Sequence, residues 1–125
     1  MYTVLVVDDS RDEIEITKRV LARTRNPVKV LSVTSGEAAL ELLRGLDELP
    51  SLILIDLKMP GMGGIDTLRQ IRSDERLRHI RVVIFTNSSL ESDRREAFAA
   101  GADNFLSKSF DIEHFSKEIK HLLER

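Results

Sequence analysis

The chain has 125 residues, 19 basic against 21 acidic side chains, a formal net charge of −2 and no cysteine. That length fits one domain with its own core, the missing cysteines remove disulfides and thiolate metal sites, and the near balance of charge is a mild argument against nucleic acid as the main partner. No apolar run reaches the ~20 residues of a bilayer span. The short run after Met1-Tyr2-Thr3 lacks a basic segment before it and ends at Asp8-Asp9, so neither a membrane anchor nor a signal peptide is expected. A cysteine-free chain also fits a cytoplasmic location.

Val4-Leu5-Val6-Val7 is a short β-branched run closed by acids and predicts a buried strand. Ser10-Arg11-Asp12-Glu13 reads as a capping box, a hydroxyl at the N-cap and a carboxylate three residues on that reaches back to its N–H. The helix that follows is expected to run to about Thr24, to bury Ile14, Thr17, Val20 and Leu21, and to stop at Asn26-Pro27. Val28–Val33 reads as a second strand. Ser35 caps a helix through Leu43, with Ala38, Ala39, Leu42 and Leu43 facing inward and Gly45 ending it. Leu52–Ile55 is apolar throughout, as in a central parallel strand, and runs into Asp56. The glycines of Pro60-Gly61-Met62-Gly63-Gly64 follow the third strand without a P-loop lysine, which marks a flexible turn rather than a phosphate loop. A third helix carries Ile65, Leu68 and Ile71, and the charged run from Arg69 to Arg81 reads as its solvated end. Val82–Phe85 is a fourth strand closed by Thr86. A short helix from about Glu91 to Ala100 ends at Gly101, a good C′ residue. Asn104-Phe105-Leu106 forms a short fifth strand, and Asp111 caps a last helix burying Ile112, Phe115, Ile119 and Leu122. With no linker, repeat or low-complexity segment, residues 1–125 are expected to form a single domain.

Five strands alternating with five helices predict an α/β fold, a parallel sheet covered on both faces and joined by right-handed crossovers. Such sheets bind ligands beyond the carboxyl ends of their strands. Asp8, Asp9, Asp56 and Thr86 each sit just past such an end, and Lys108 follows shortly after the fifth. Three crowded carboxylates repel one another unless a cation lies among them or some are protonated. A hard, oxygen-rich site without His or Cys suits Mg²⁺. A carboxylate can attack phosphorus, and phosphoryl transfer then needs charge neutralisation and alignment, for which a lysine and a hydroxyl serve. Taken singly, Asp9 could be a helix cap, Thr86 a capping hydroxyl and Lys108 a solvated charge; five such residues at corresponding strand ends weigh against that. His79, His114 and His121 share no metal-binding spacing, and Met59 and Met62 read as packing.

On these residues the chain resembles, from end to end, the receiver domains of two-component response regulators, particularly stand-alone receivers of chemotaxis type. Val7-Asp8-Asp9 matches the acidic pair, Asp56-Leu57-Lys58-Met59-Pro60-Gly61-Met62-Gly63-Gly64 the phosphoacceptor segment, and Thr86 with Gly101-Ala102-Asp103 through Lys108 the remaining signature. The resemblance implies a flavodoxin-like, doubly wound five-stranded sheet of order 2-1-3-4-5. It implies that Asp56 is the phosphoacceptor, that Asp9 ligates Mg²⁺ directly and Asp8 mainly through water, and that Lys58 offers its backbone carbonyl to the metal. It assigns Lys108 to the phosphoryl oxygens and makes Thr86 and Phe105 a coupled switch, the ring following the hydroxyl inward. The donor would be a sensor histidine kinase or a histidine phosphotransfer protein. The output would be a protein partner on the face of the fourth helix, fifth strand and fifth helix, with no direct nucleic-acid or membrane contact. Such a molecule is a signalling switch rather than an enzyme.

Four positions depart from the family pattern. Ser109 stands where a cis proline usually follows the lysine, and a non-proline cis bond costs about 2.5–4 kcal/mol. Asn87 replaces a small residue after the threonine and could narrow access to the phosphoryl group or alter its lifetime. Gly63 replaces a common acid, and Arg81 a common proline. The alternative within the family is a degenerate receiver acting as a phosphate-independent interaction module. A haloacid dehalogenase-type hydrolase would carry an acid where Lys58 stands, and a dinucleotide-binding domain would need a glycine fingerprint after the first strand.

Overall fold

Strands β1 (Tyr2–Val7), β2 (Val28–Val33), β3 (Leu52–Ile55), β4 (Arg81–Thr86) and β5 (Asn104–Ser107) alternate with helices α1 (Arg11–Arg23), α2 (Gly36–Gly45), α3 (Gly64–Ser73), α4 (Glu91–Ala99) and α5 (Ile112–Glu124). The computed structural model describes residues 2–24, 27–108 and 112–124. All strand pairs are parallel, in the order β2-β1-β3-β4-β5. Alternate side chains of a strand point to opposite faces, and the core divides accordingly. Leu5, Val7, Ile53, Ile55, Val82, Ile84 and Phe105 face α2, α3 and α4. Val4, Val6, Leu52, Leu54, Val83, Phe85 and Leu106 face α1 and α5. Sheets covered on both sides need strands apolar on both sides, which is why β3 is Leu-Ile-Leu-Ile without a polar break.

Helix α1 buries Ile14, Thr17, Val20 and Leu21 as expected. Its end is made by Thr24, whose hydroxyl and N–H both donate to the Leu21 carbonyl at 2.8 and 3.1 Å; Asn26 lies outside the described residues. In α2 the inward stripe is Gly36, Ala39, Leu40 and Leu43, so Leu40 is core while Ala38 and Leu42 are only half-buried. The N-cap at Ser35 sets the helical phase, and positions 36, 39, 40 and 43 then share one face. In α5 the buried residues are Phe115, Ile119, Leu122 and Leu123. Ile112, expected inside, is exposed, because that stripe leaves the first residue of the helix on its rim. Asp111, read as the cap, lies outside the described residues.

The charged run from Arg69 to Arg81 is not simply solvated. Arg69 is exposed and, among the described residues, pairs with Asp66, but Arg72 reaches across the end of the sheet. Its Nε donates to the Gly101 carbonyl at 2.9 Å, its Nη1 to the carbonyls of Arg78 and Ile80 at 2.9 and 2.6 Å, and its Nη2 to Asp103 at 3.1 Å. Asp103 in turn accepts the Val82 N–H at 2.8 Å. Arg76 donates to the carbonyls of Leu43 and Leu46 at the end of α2. Carbonyls at loop and helix ends have no ladder partner and require a donor, and a guanidinium carries five. Gly101, at φ +106, is left-handed, and a Cβ there would come within 3.0 Å of the Arg72 side chain, so both backbone and packing call for glycine.

Candidate functional site

At the carboxyl edge of the sheet, Val7 pairs with Ile55 and Ile55 with Ile84, so the residues just beyond those strands are neighbours. Asp56 is pinned by its N–H to the Val7 carbonyl at 2.9 Å, and Asp8 by its N–H to Val33 at 3.2 Å. Lys108 joins them because its own N–H donates to the Thr86 carbonyl at 2.7 Å. Carboxylate oxygens of Asp8, Asp9 and Asp56 lie within 4.8 Å of one another. Asp8 is buried, Asp56 half-buried and Asp9 exposed. The Lys108 ammonium, with its side chain 8% exposed, sits 2.5 Å from Asp8, 3.1 Å from Glu13 and 3.6 Å from Asp56. An open cleft of about 610 Å³ above Asp56 is walled by Asp9, Glu13, Lys58, Thr86 and Asn87.

The plainer reading of Asp9 as a helix cap fails. Ser10 is the N-cap of α1, its hydroxyl accepting from the Glu13 N–H at 3.3 Å. The other half of the capping box is absent among the described residues: the Ser10 N–H donates to Asp8 at 3.0 Å, and the Glu13 carboxylate turns instead to Lys108 and to the Asn87 amide at 3.1 and 3.0 Å. The glycine-rich loop is also more than a turn. A Cβ on Gly64 would lie 2.2 Å from the Asp56 carbonyl oxygen, so glycine is what lets α3 start against the back of the acid. Gly63, where an acid is common, gives α3 an N-cap without a side-chain hydrogen bond. Ser109 lies outside the described residues.

The description of the family named Response regulator receiver domain matches residues 4–120. The chain belongs to the response regulator receiver family. It is 34% identical over 122 residues to histidine kinase P4 of Formosa agariphila, an alignment covering 98% of this chain and 8% of that protein. It is 35% identical over 117 residues to the nitrate/nitrite response regulator NarL of Escherichia coli, covering 94% of this chain and 52% of NarL. The chain thus spans a small part of one relative and about half of the other. The phosphorylated cyanobacterial phytochrome response regulator RcpA superposes with a TM-score of 0.82 at 27% identity, covering 98% of this chain and 91% of that one. Receiver domains are phospho-accepting switches of two-component signalling, and they generally depend on Mg²⁺.

The receiver's acid cluster fits that metal. Asp8, Asp9 and Asp56 are three clustered carboxylates, and the one buried ammonium beside them is shared with Glu13; such a local excess of negative charge is eased by a hard divalent cation. Burial, with the Asp8 charge, pushes the Asp56 carboxyl above the ordinary range, against the pull of Lys108, the Leu57 N–H and the Thr86 hydroxyl. Burial works to lower Lys108, but its bond to Asp8 and the charges around it raise it, so it stays a cation. Glu13 is drawn up by burial and down by Asn87 and Lys108, and the latter two prevail.

Of the residues singled out in the sequence, Asp8, Asp9, Asp56, Lys58, Thr86 and Lys108 share this edge. Phe105 lies below it in the core, 7% exposed. Thr86 is buried, and its hydroxyl accepts the Ser88 N–H at 3.2 Å. Glu13 is the residue that sequence reasoning misplaced, since its three-residue spacing from Ser10 pointed only to a cap.

Proposed function

We propose that residues 1–125 form a receiver that takes a phosphoryl group from a histidine kinase or histidine phosphotransfer protein onto Asp56. The carrying observation is the half-buried Asp56 carboxylate at the floor of an open cleft, flanked by two further acids and facing Lys108 at 3.6 Å. In the transfer, an Asp56 oxygen attacks phosphorus as the P–N bond to the donor imidazole breaks, its electron pair returning to the ring nitrogen. Lys108 neutralises phosphoryl oxygens and the Thr86 hydroxyl donates to one of them. Asp8, Asp9 and Asp56, with the Lys58 carbonyl, would hold Mg²⁺, which supplies further neutralisation of the phosphoryl charge when bound. The receiver is a cytoplasmic switch whose partner is a protein, not nucleic acid or membrane. The test is the intact mass after incubation with acetyl phosphate: one added phosphoryl group, only with Mg²⁺ present. A chain that stays unmodified with both would favour the phosphate-independent interaction module.

Asp9→Ala is expected to weaken Mg²⁺ binding at least about tenfold without loss of stability. Asp9 is exposed and the N-cap of α1 is Ser10 instead, and removing Asp9 relieves repulsion in the metal-free cluster. A sharp drop in the thermal midpoint in EDTA would contradict this.

We place the output on the face of α4, β5 and α5, supported by the exposed Leu90 and Phe98 there and by Phe105 beneath. Thr86→Ala should still be phosphorylated on Asp56 yet fail to switch. Phosphate favours one arrangement only through contacts that differ between the two, and a lost charge-assisted bond of about 1.5–3 kcal/mol shifts the balance roughly tenfold or more. Amide shifts from Leu90 to Lys108, with and without beryllofluoride, report this. They should move across the face in wild type and stay near Asp56 in the variant. Equal responses would break the proposed link between Thr86 and Phe105.

A further inference from the structure

Lys108 is closer to two other acids than to the one it is meant to serve. Its ammonium is 2.5 Å from Asp8 and 3.1 Å from Glu13 but 3.6 Å from Asp56, just beyond hydrogen-bond reach. Asp8 belongs to the acid cluster; Glu13 does not, and projects from the first turn of α1. Its other oxygen accepts the Asn87 amide at 3.0 Å, so the carboxylate is held between the end of β4 and the lysine. The N-cap pattern leaves it free for this, because the Ser10 N–H is already taken by Asp8.

We infer that Glu13, braced by Asn87, is a positioning residue that holds the Lys108 ammonium off Asp56, so that a phosphoryl group on Asp56 must draw the lysine away from it. The inference rests on Asp56 being the phosphoacceptor. Two effects of Glu13 point the same way. Its ion pair must loosen before Lys108 can reach the phosphoryl oxygens, and its own negative charge at the cleft wall opposes theirs. Neutralising it does not release Lys108 to solvent, because Asp8 still holds the ammonium at 2.5 Å. Glu13 and Asn87 therefore set how tightly, and for how long, this receiver keeps its phosphoryl group.

The test compares wild type, Glu13→Gln and Asn87→Ala for beryllofluoride binding at saturating Mg²⁺, read by amide shifts, together with the side-chain ammonium signal of Lys108 without ligand. Glu13→Gln keeps the backbone N–H that Ser10 caps, so the helix start is preserved. Its affinity should rise about three- to tenfold, as for loss of a competing, partly buried ion pair, with faster hydrogen exchange at the Lys108 ammonium. Asn87→Ala should move both readouts the same way by less, and no movement would refute the brace. If wild type and Glu13→Gln bind equally, or the variant binds more weakly, Glu13 does not compete for the lysine. Tighter binding with an unchanged ammonium signal would show charge repulsion alone, which also refutes the positioning role. A wild type that binds no beryllofluoride defeats the phosphoacceptor reading itself, and this inference with it. Wild-type binding without the variant effect defeats only the inference.

Discussion

Asp56→Asn is expected to gain no mass with acetyl phosphate and Mg²⁺, under conditions in which the wild-type chain gains one phosphoryl group. The amide keeps the shape of the side chain and can still accept the Leu57 N–H, which donates to Asp56 Oδ1 at 2.8 Å, but it has no anionic oxygen to attack phosphorus. Equal labelling of both proteins would move the nucleophile elsewhere. The same variant should be more stable than wild type at neutral pH. Burial and the Asp8 charge raise the Asp56 carboxyl in the folded chain, whereas unfolded it ionises near ~3.9. The folded state therefore binds the proton more tightly, and wild type loses stability as pH rises through the window between the two values. The advantage of Asp56→Asn is full above that window and disappears as pH falls below the ordinary carboxyl range. Thermal midpoints across pH in EDTA measure it. An advantage that instead grew in acid would mean that Lys108 and Thr86 outweigh burial at Asp56.

Arg72→Ala should be among the most destabilising changes of a charged residue in this chain, at about 2–4 kcal/mol and a midpoint lower by roughly 10 °C. The loss is not that of a surface ion pair. Three backbone carbonyls, on Arg78, Ile80 and Gly101, would lose a donor, and Asp103 would be left with the Val82 N–H among the described residues. These groups join the end of α3 to the start of β4 and the turn before β5, so the variant should also loosen the approach of β5 to the sheet. Arg69→Ala, one helical turn earlier, breaks only an exposed pair with Asp66 and should cost no more than about 0.5 kcal/mol. Urea or thermal unfolding separates the two, and similar losses for both would return Arg72 to the solvated surface.

The alternation of strands and helices was legible in the sequence because apolar periodicity is local: Val4 to Val7 and Leu52 to Ile55 can only be buried on both sides, and the stripe of α1 repeats at helical spacing. The site was legible for a related reason. A parallel sheet delivers whatever follows its strands to one edge, so Asp8, Asp9, Asp56, Thr86 and Lys108 could be grouped before any distance was known. The inward stripe of a short helix is less secure: the cap at Ser35 is as expected, but residues 38 to 43 are apolar except for Glu41, and only packing against the sheet chose Leu40 over Ala38 and Leu42. What only the tertiary structure decided is which charges meet. Glu13 and Asn87 are 74 residues apart, and Arg72 and Asp103 are 31 apart. In sequence Glu13 reads as part of a helix cap, Asn87 as a variant residue after the threonine, Arg72 as part of a solvated helix end and Asp103 as part of a family signature. Periodicity reports whether a side chain faces the core, but a carboxylate or a guanidinium takes its role from partners within about 3 Å, and those are set by how separate elements pack. The absence of room at Gly64 is of the same kind: a glycine in a loop is ordinary, and only the Asp56 carbonyl packed against it shows that no other residue fits.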